Sequence, residues 1–570
     1  MAIVDRHETS PLPPPRAGRA WGKFWGRWTG FDVAASAIAL VVVIPILSVV
    51  GIAFTGDGTA IAHLASTFLP EYVANTLALG LLVVAGVLLI GVPAAWLVAA
   101  CEFPGRRALE FALVLPMAAP AYVLAYAYAD FLAAFGPVQS LFRAWTGFEV
   151  GAYWFPEIRS LPGAALMLTL VLYPYVYILA RAHFLNQSAA ALDAARSLGR
   201  SAWGSFVAVT LPLARPAIVA GAALALMETF ADYGTVSYFG VQVFTTGIYR
   251  AWISLSDLAG AAQLATALLV FVALVLMLER NARGARAFHE TGRRDRRPER
   301  IVLHGARSVA AMVACTLPPI FGFVIPVAVL ISLLLGAGPP AREFSLHLLH
   351  SLVLAFLAGA VATCVAFVLG LARKQGPASI ASRASFIAGL GYAVPGVVVA
   401  IGVLMPFAWF DNTLDSALRA SFGVSSGLVL TGSIAGLVFA YTVRYLAVAL
   451  QSVSAGLERI TPSIEAAAKL LGRGPWDAVR RVYLPLIAPS ALTAALLVFV
   501  DVMKELPATL MLRPFNFDTL AVAAHNYAAD ERLGHAAAPS LVIVAAGIVP
   551  CILLLRTISR MSEKNGTPET

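Results

Sequence analysis

Four carboxylates stand where chemistry is expected. Glu228 and Asp232 lie four residues apart in an apolar run, and Asp501 and Glu505 repeat the pair 273 positions later. A spacing of four places both members of a pair on one face of a helix. Counted from Pro216 at about 1.5 Å per residue, Glu228 lies roughly 18 Å and Asp232 roughly 24 Å along the run, past its middle. Ionisable groups at that depth in hydrocarbon are costly and mark a functional site by default. Three readings stay open. The two pairs converge on a central pathway, or they are neutralised internally with Lys504 as the partner of neighbouring Glu505, or they coordinate a metal directly. No metal site is assigned.

A second constellation repeats at the same spacing. Gly199 and Gly472, Trp203 and Trp476, Leu211-Pro212 and Leu484-Pro485, and Pro216 and Pro489 are each 273 positions apart. The copies read LDAARSLGRSAWGSFVAVTLPLARPAI and IEAAAKLLGRGPWDAVRRVYLPLIAPSAL, charged amphipathic stretches between apolar runs. Residues 190–198 favour helix, Gly199 allows a turn that a side chain would resist, and Leu-Pro closes the loop before the next span. Each copy is therefore a compact polar knob. Its duplication with its surroundings points to two pseudo-equivalent halves of one transport machine.

The elements that position these residues must be membrane helices. The 570 residues are 59% hydrophobic and only 12% charged, with a mean hydropathy of +0.81, far from a soluble chain with about 25% charged residues. Apolar runs of about 20 residues match roughly 30 Å of hydrocarbon, and alternating strand patterns are absent. Spans are expected near 32–55, 73–100, 109–132, 162–184, 214–235 and 259–279, then near 308–335, 347–372, 384–408, 427–450, 486–507 and 536–556. The fold class is thus an all-α membrane protein with about twelve transmembrane helices in two pseudo-symmetric six-helix halves. LPMAAPAYVLA at 115–125 matches LGYAVPGVVVA at 390–400, with Pro120 opposite Pro395. The organisation expected is a tail (1–30), a first half (31–280) with its loop at about 190–213, a basic linker (281–306), a second half (307–557) with its loop at about 463–486, and a tail (558–570). The first apolar run is too long for a signal peptide and lacks a convincing cleavage site.

The net charge of +9 does not signal nucleic acid, because it is distributed by side of the membrane. Arg280, Arg283, Arg286, Arg293, Arg294, Arg296, Arg297, Arg300 and Arg307 lie in or beside the linker. Arg16, Arg19, Lys23 and Arg27 precede the first span, and Arg106, Arg107, Arg373 and Lys374 fill short loops on the same side. Residues 56–72 carry no Lys or Arg. Positive-inside asymmetry puts both termini and both duplicated loops in the cytoplasm. The linker reads as a solvated connector near anionic headgroups. Cys101, Cys315, Cys364 and Cys551 sit in or beside apolar runs without CxxC spacing, so packing explains them better than disulfides or zinc.

Asp193-Ala194-Ala195, three residues, Gly199, nine residues, then Val209-x-Leu211-Pro212 resembles the EAA loop of permease subunits in binding-protein-dependent ABC importers. The second copy keeps Gly472, Val482 and Leu484-Pro485, but its acid, Glu465, comes one residue early and Ala466, followed by Ala467, occupies the acidic position. METFADYGTVSYFG, FTTGIYRAW and DVMKELPATLMLRPFNFDTLA resemble fused, double-length permeases of the iron(III) transport family. The resemblance implies that each loop docks on one of two ABC ATPase subunits, that a periplasmic substrate-binding protein delivers the cargo, and that the chain lies in a bacterial inner membrane. It implies ferric iron as cargo, and hard trivalent iron suits the oxygen ligands that carboxylates offer.

The chain has no G-x-x-x-x-G-K-[ST], since Gly22-Lys23 is followed by Phe24, and no Ser/His/Asp or His-rich arrangement. ATP is therefore expected to be used by a partner subunit. No cofactor is expected on this chain, and it is not read as an enzyme. His350 and His525 are assigned no role. Importers of another small ligand, such as a phosphonate, thiamine or polyamine, are the alternative. An ion-coupled secondary transporter fits duplication and buried carboxylates but has no need of two such loops.

Overall fold

The computed structural model describes residues 29–55, 67–185, 187, 197–283, 300–339, 341–374, 379–471 and 474–564. The chain is helical, and its long helices follow the apolar runs. In the first half these are α1 (Thr29–Ala53), α2 (Leu69–Ala100), α3 (Arg106–Ala112), α4 (Ala121–Phe131), α5 (Pro137–Thr146), α6 (Leu161–Leu185), α7 (Leu211–Ala231), α8 (Gly234–Tyr238), α9 (Phe244–Tyr249) and α10 (Leu258–Arg283). The second half contains α11 (Ala306–Pro319), α12 (Ile325–Ala337), α13 (Phe344–Arg373), α14 (Ile380–Ala388), α15 (Gly396–Phe422), α16 (Ile434–Glu458), α17 (Pro462–Leu470), α18 (Leu484–Met503), α19 (Pro507–Leu512), α20 (Leu520–Ala529) and α21 (Leu533–Lys564). Among the described residues, eleven helices are long and apolar enough to cross a membrane. A twelfth span is counted if the pair Arg106–Ala118 and Ala121–Phe131, bent by 92°, is taken as one.

The span expected at 109–132 is this bent pair, broken at Pro120, and two other expected spans are displaced. The run 384–408 is not one helix. A 3-10 turn at Gly389–Ala393 leads to Pro395, whose extended backbone (φ −56°, ψ 143°) ends one element, and α15 then continues to Phe422. Pro120 has the same conformation (φ −63°, ψ 147°) and the same place, after a 3-10 turn at Leu115–Ala118 and before α4. A proline imposes this geometry by fixing φ and withholding an N–H. The other displaced span, expected at 427–450, is α16 at Ile434–Glu458.

Packing follows the repeat with one exchange. α2, α6 and α7 form the centre of the first half, and α13, α16 and α18 form that of the second. The leading helix of each half crosses over. α1 packs on α13, α14 and α15, while α11 and α12 pack on α2, α3 and α4. Close backbone contact makes the crossing tight, because a Cβ at Gly402 of α15 would run into the carbonyl of Pro45 in α1. Tyr128 of α4 donates to the carbonyl of Phe321, just before α12, at 2.6 Å. The linker returns through two parallel strand residues, β2 (Ile301–Val302) beside β1 (Cys101–Glu102). Leu40, Leu47, Leu81, Leu89 and Leu335 point outward, as apolar side chains do where lipid is the solvent.

The exchange generates a prediction. Gly402→Leu must push α1 off α15 and should destabilise the purified protein by about 1–3 kcal/mol or more, the usual scale of overpacking. Gly336→Leu, whose Cβ meets nothing within 4 Å, should leave thermal unfolding unchanged.

Candidate functional site

The site lies where both halves break their helices. α7 ends at Ala231, and Asp232 turns extended (φ −67°, ψ 134°) before the short α8. α18 ends at Met503, and Lys504 and Glu505 lead into α19. With the bends at Pro120 and Pro395, these breaks surround a cavity enclosing about 840 Å³ of non-atom space, part of it open to solvent. Glu228, Asp232, Asp501, Glu505 and Lys504 all line it. The structure thus brings the five residues together, although Asp232 lies just past its helix and not on the same helical face as Glu228.

Asp232 and Glu505 perform the same local task. A broken helix leaves backbone N–H groups without carbonyl partners, and lipid offers none. Asp232 accepts from the amides of Thr235 (3.1 Å) and Val236 (3.2 Å) and from the Thr235 hydroxyl (2.9 Å). Glu505 accepts from the amide of Ala508 (3.1 Å). Each carboxylate binds the amide three residues ahead of it, in the first turn of the short helix.

The expected pairing of Lys504 with Glu505 is replaced by another. Lys504 Nζ sits 3.1 Å from Asp501 Oδ1, while Glu505 is held by Arg444, whose Nη1 is 2.8 Å from both carboxylate oxygens. The reason is direction. Lys504 and Glu505 are sequence neighbours at a helix end and diverge, whereas Arg444 reaches across from α16. Tyr445 donates to Glu505 Oε2 at 2.6 Å. Gly396 makes room for the pair, since a Cβ there would strike Arg444 Nη1. Arg444 and Glu505 are 8% and 4% exposed, so this ion pair is held in the interior by several hydrogen bonds.

Arg444, Tyr445 and Tyr392 were not singled out from the sequence. The signal was there for Arg444, a lone arginine inside an apolar run, which is as conspicuous as a lone carboxylate. The cations are also one-sided. At the 273 offset Arg444 corresponds to Val171, Tyr445 to Leu172 and Lys504 to Ala231, and all three first-half residues line the same cavity. The direct ion pairs of the cavity therefore both lie within the second half. Among the described residues no Lys or Arg pairs with Glu228 or Asp232; Glu228 accepts one hydrogen bond, from the Tyr392 hydroxyl at 3.1 Å. No three His, Cys, Asp or Glu side chains among the described residues form a group that could hold a metal ion.

The duplicated loops are described in part. Asp193, Ala194, Ala195 and Gly472 lie outside the described residues. Gly199 has φ +80° in an exposed stretch, the left-handed conformation that glycine adopts without strain. Before each Leu-Pro the chain makes one π turn, Phe206–Thr210 and Val479–Tyr483. Leu211 and Leu484 donate five residues back, to Phe206 and Val479. This wider turn accommodates Pro212 and Pro485, which lack a donor at the start of α7 and α18. In α17, Ala466 and Ala467 are exposed, but Glu465 points inward, 8% exposed, with its Oε1 2.6 Å from Lys374 Nζ.

A family model described as binding-protein-dependent transport system inner membrane component matches residues 91–280 and 363–564, well over half of the chain. The chain is 25% identical over 490 residues to the Fe(3+)-transport system permease protein FbpB 2 of Haemophilus influenzae, covering 85% of this chain and 89% of that one. It is 31% identical to the putative 2-aminoethylphosphonate transport system permease protein PhnV of Salmonella typhimurium, with 45% of this chain covering 97% of the relative. The sulfate transport system permease protein CysW of Escherichia coli is 28% identical over 37% of this chain and 71% of its own length.

Breaking the central ion pair should be costly. Arg444→Met leaves Glu505 buried without a cation and should destabilise the protein by about 3–5 kcal/mol; adding Glu505→Gln should recover part of the loss. Lys504→Met should cost less, because its partner Asp501 keeps 29% of its side chain accessible. Thermal unfolding of the three variants checks the order.

Proposed function

Because the chain belongs to the family of binding-protein-dependent transport system inner membrane components, we propose that it is the fused, two-half permease of an ATP-driven importer whose cargo is ferric iron. A multi-pass membrane chain with the permease domain present twice is the premise. The observation that carries the choice of cargo is the first-half wall of the cavity, where Glu228 and Asp232 face the space and, among the described residues, form no direct ion pair. An oxygen-rich wall of carboxylates and tyrosine hydroxyls suits a hard cation. The length of the match to the iron-transport relative supports the same reading, since it spans both halves.

In this reading Asp232 and Glu505 hold the helix breaks open and Glu228 meets the passing ion. The absence of a three-ligand group among the described residues suits passage, because a site that held the ion tightly would not release it. Both termini lie in the cytoplasm, and a periplasmic binding protein delivers the cargo to the opposite face. Two ATPase subunits dock on the loops at about 190–213 and 463–486 and hydrolyse the ATP. Closure of the ATPase pair pushes both loops and opens the cavity outward. A phosphonate is the second reading, favoured by the higher identity to a phosphonate-named relative. An anion would meet two carboxylates that carry no direct ion pair on the first-half wall.

Proteoliposomes containing the chain with its ATPase and binding protein test the proposal. Iron(III) supplied on the binding protein should be taken up with ATP, and 2-aminoethylphosphonate should not; the reverse result selects the second reading. Glu228→Gln should lower iron uptake about tenfold or more while assembly survives, since the loops lie roughly half a membrane away. Gly199→Asp should leave the protein inserted and uncouple uptake, because a side chain resists φ +80°.

A further inference from the structure

The second coupling loop is tied to the transmembrane helices by a cluster of three side chains. Glu465 lies in α17, the helix of that loop. Its carboxylate takes an ion pair from Lys374 Nζ at 2.6 Å. Lys374 follows the last residue of α13 and also donates to the carbonyl of Ile460 at 3.2 Å, just before α17. Its ammonium stands 5.0 Å from the centre of the Tyr483 ring. Tyr483 ends the π turn that leads into α18. One lysine at the foot of α13 therefore joins the loop acid to the ring at the foot of α18, and both helices belong to the centre of the second half.

At the 273 offset, Lys374, Glu465 and Tyr483 correspond to Cys101, Leu192 and Thr210. The three residues are present as a set in one half, and none has a charged or aromatic counterpart in the other. A surface-exposed acid would serve as a contact for a partner protein; an acid 8% exposed and ion-paired to Lys374 cannot. Among the described residues below the first half, the ionic contacts join other elements. Arg106 joins Glu102 and Glu110, Glu110 joins Arg181 of α6, and Arg300 at the end of the linker joins Glu102.

We propose that Lys374, Glu465 and Tyr483 are positioning residues that transmit displacement of the second loop to α13 and α18, and that the ATPase contacts this loop through its exposed residues instead of through Glu465. The proposal rests on the importer reading above, in which an ATPase displaces the loops. Local charge pairs of this kind give an element two arrangements that a distant site can bias.

The test uses the full chain bound to its ATPase in lipid nanodiscs, with a reporter cysteine at Ala231 in the cavity and Cys364 replaced by Ser. ATP should change the reaction rate of the reporter with a thiol reagent. Lys374→Met and Glu465→Gln should each retain the ATPase and its hydrolysis while the ATP-dependent change shrinks about tenfold, within the usual range of a coupling contact. The exchange Lys374→Glu with Glu465→Lys should restore it to within about threefold. If a single variant fails to accumulate, Tyr483→Leu, which removes the ring facing the ammonium, should still reduce the change. Undiminished ATP response in Lys374→Met, Glu465→Gln or Tyr483→Leu overturns the proposal. So does loss of ATPase binding in Glu465→Gln alone, which would make Glu465 a direct contact. A wild-type chain that binds no ATPase removes the importer reading itself, a result distinct from either.

Discussion

A helix that stops inside hydrocarbon exposes backbone amides that no lipid will satisfy, and this constraint organises the centre of the protein. The cavity exists because α7 and α18 stop short and the chain bends at Pro120 and Pro395. Those breaks persist because Asp232 and Glu505 receive the freed amides. Once a carboxylate is placed there it needs a counter-charge or hydrogen bonds of its own. Arg444, Tyr445 and Thr235 supply them, and Gly396 is small because the pair presses on its backbone. The polar centre is a chain of obligations that begins with the unpaired N–H.

Much of this was legible in the sequence, and the reasons are physical. The repeat, the number of spans and the cavity-facing carboxylates could be read because apolar length and charge in an apolar run are local properties. The partner of Glu505 was not legible. Proximity along the chain suggested Lys504, but side chains of neighbours at a helix end diverge, and the real partner comes 61 residues earlier, from another helix. The division of 384–408 at Pro395 was missed for a similar reason. Hydropathy treats a proline-bent apolar segment and a straight one alike. The crossing of α1 and α11 to the opposite halves leaves no trace in composition, because every face of a membrane helix is apolar.

The two halves keep one architecture and divide the chemistry unequally. Breaks, caps, π turns and Leu-Pro closures recur at the same offset. The cations of the cavity, Arg444 and Lys504, come from the second half alone, opposite Val171 and Ala231. Backbone geometry is what the repeat preserves, since every break must satisfy the same hydrogen bonds. Side chains facing the cavity answer only to its contents and to each other, so a fused chain is free to place the direct ion pairs of the cavity on one wall.

The exchanged leading helices also bear on how the protein is made. Translation delivers α1 first, yet the α15 surface it rests on begins about 340 residues later. At roughly 5–20 residues per second this interval lasts on the order of 20–70 s. During it α1 can lean on α10 of its own half, but its final seat does not yet exist. Assembly of the first half therefore waits for synthesis of the second, and the membrane must store an unseated helix throughout that interval.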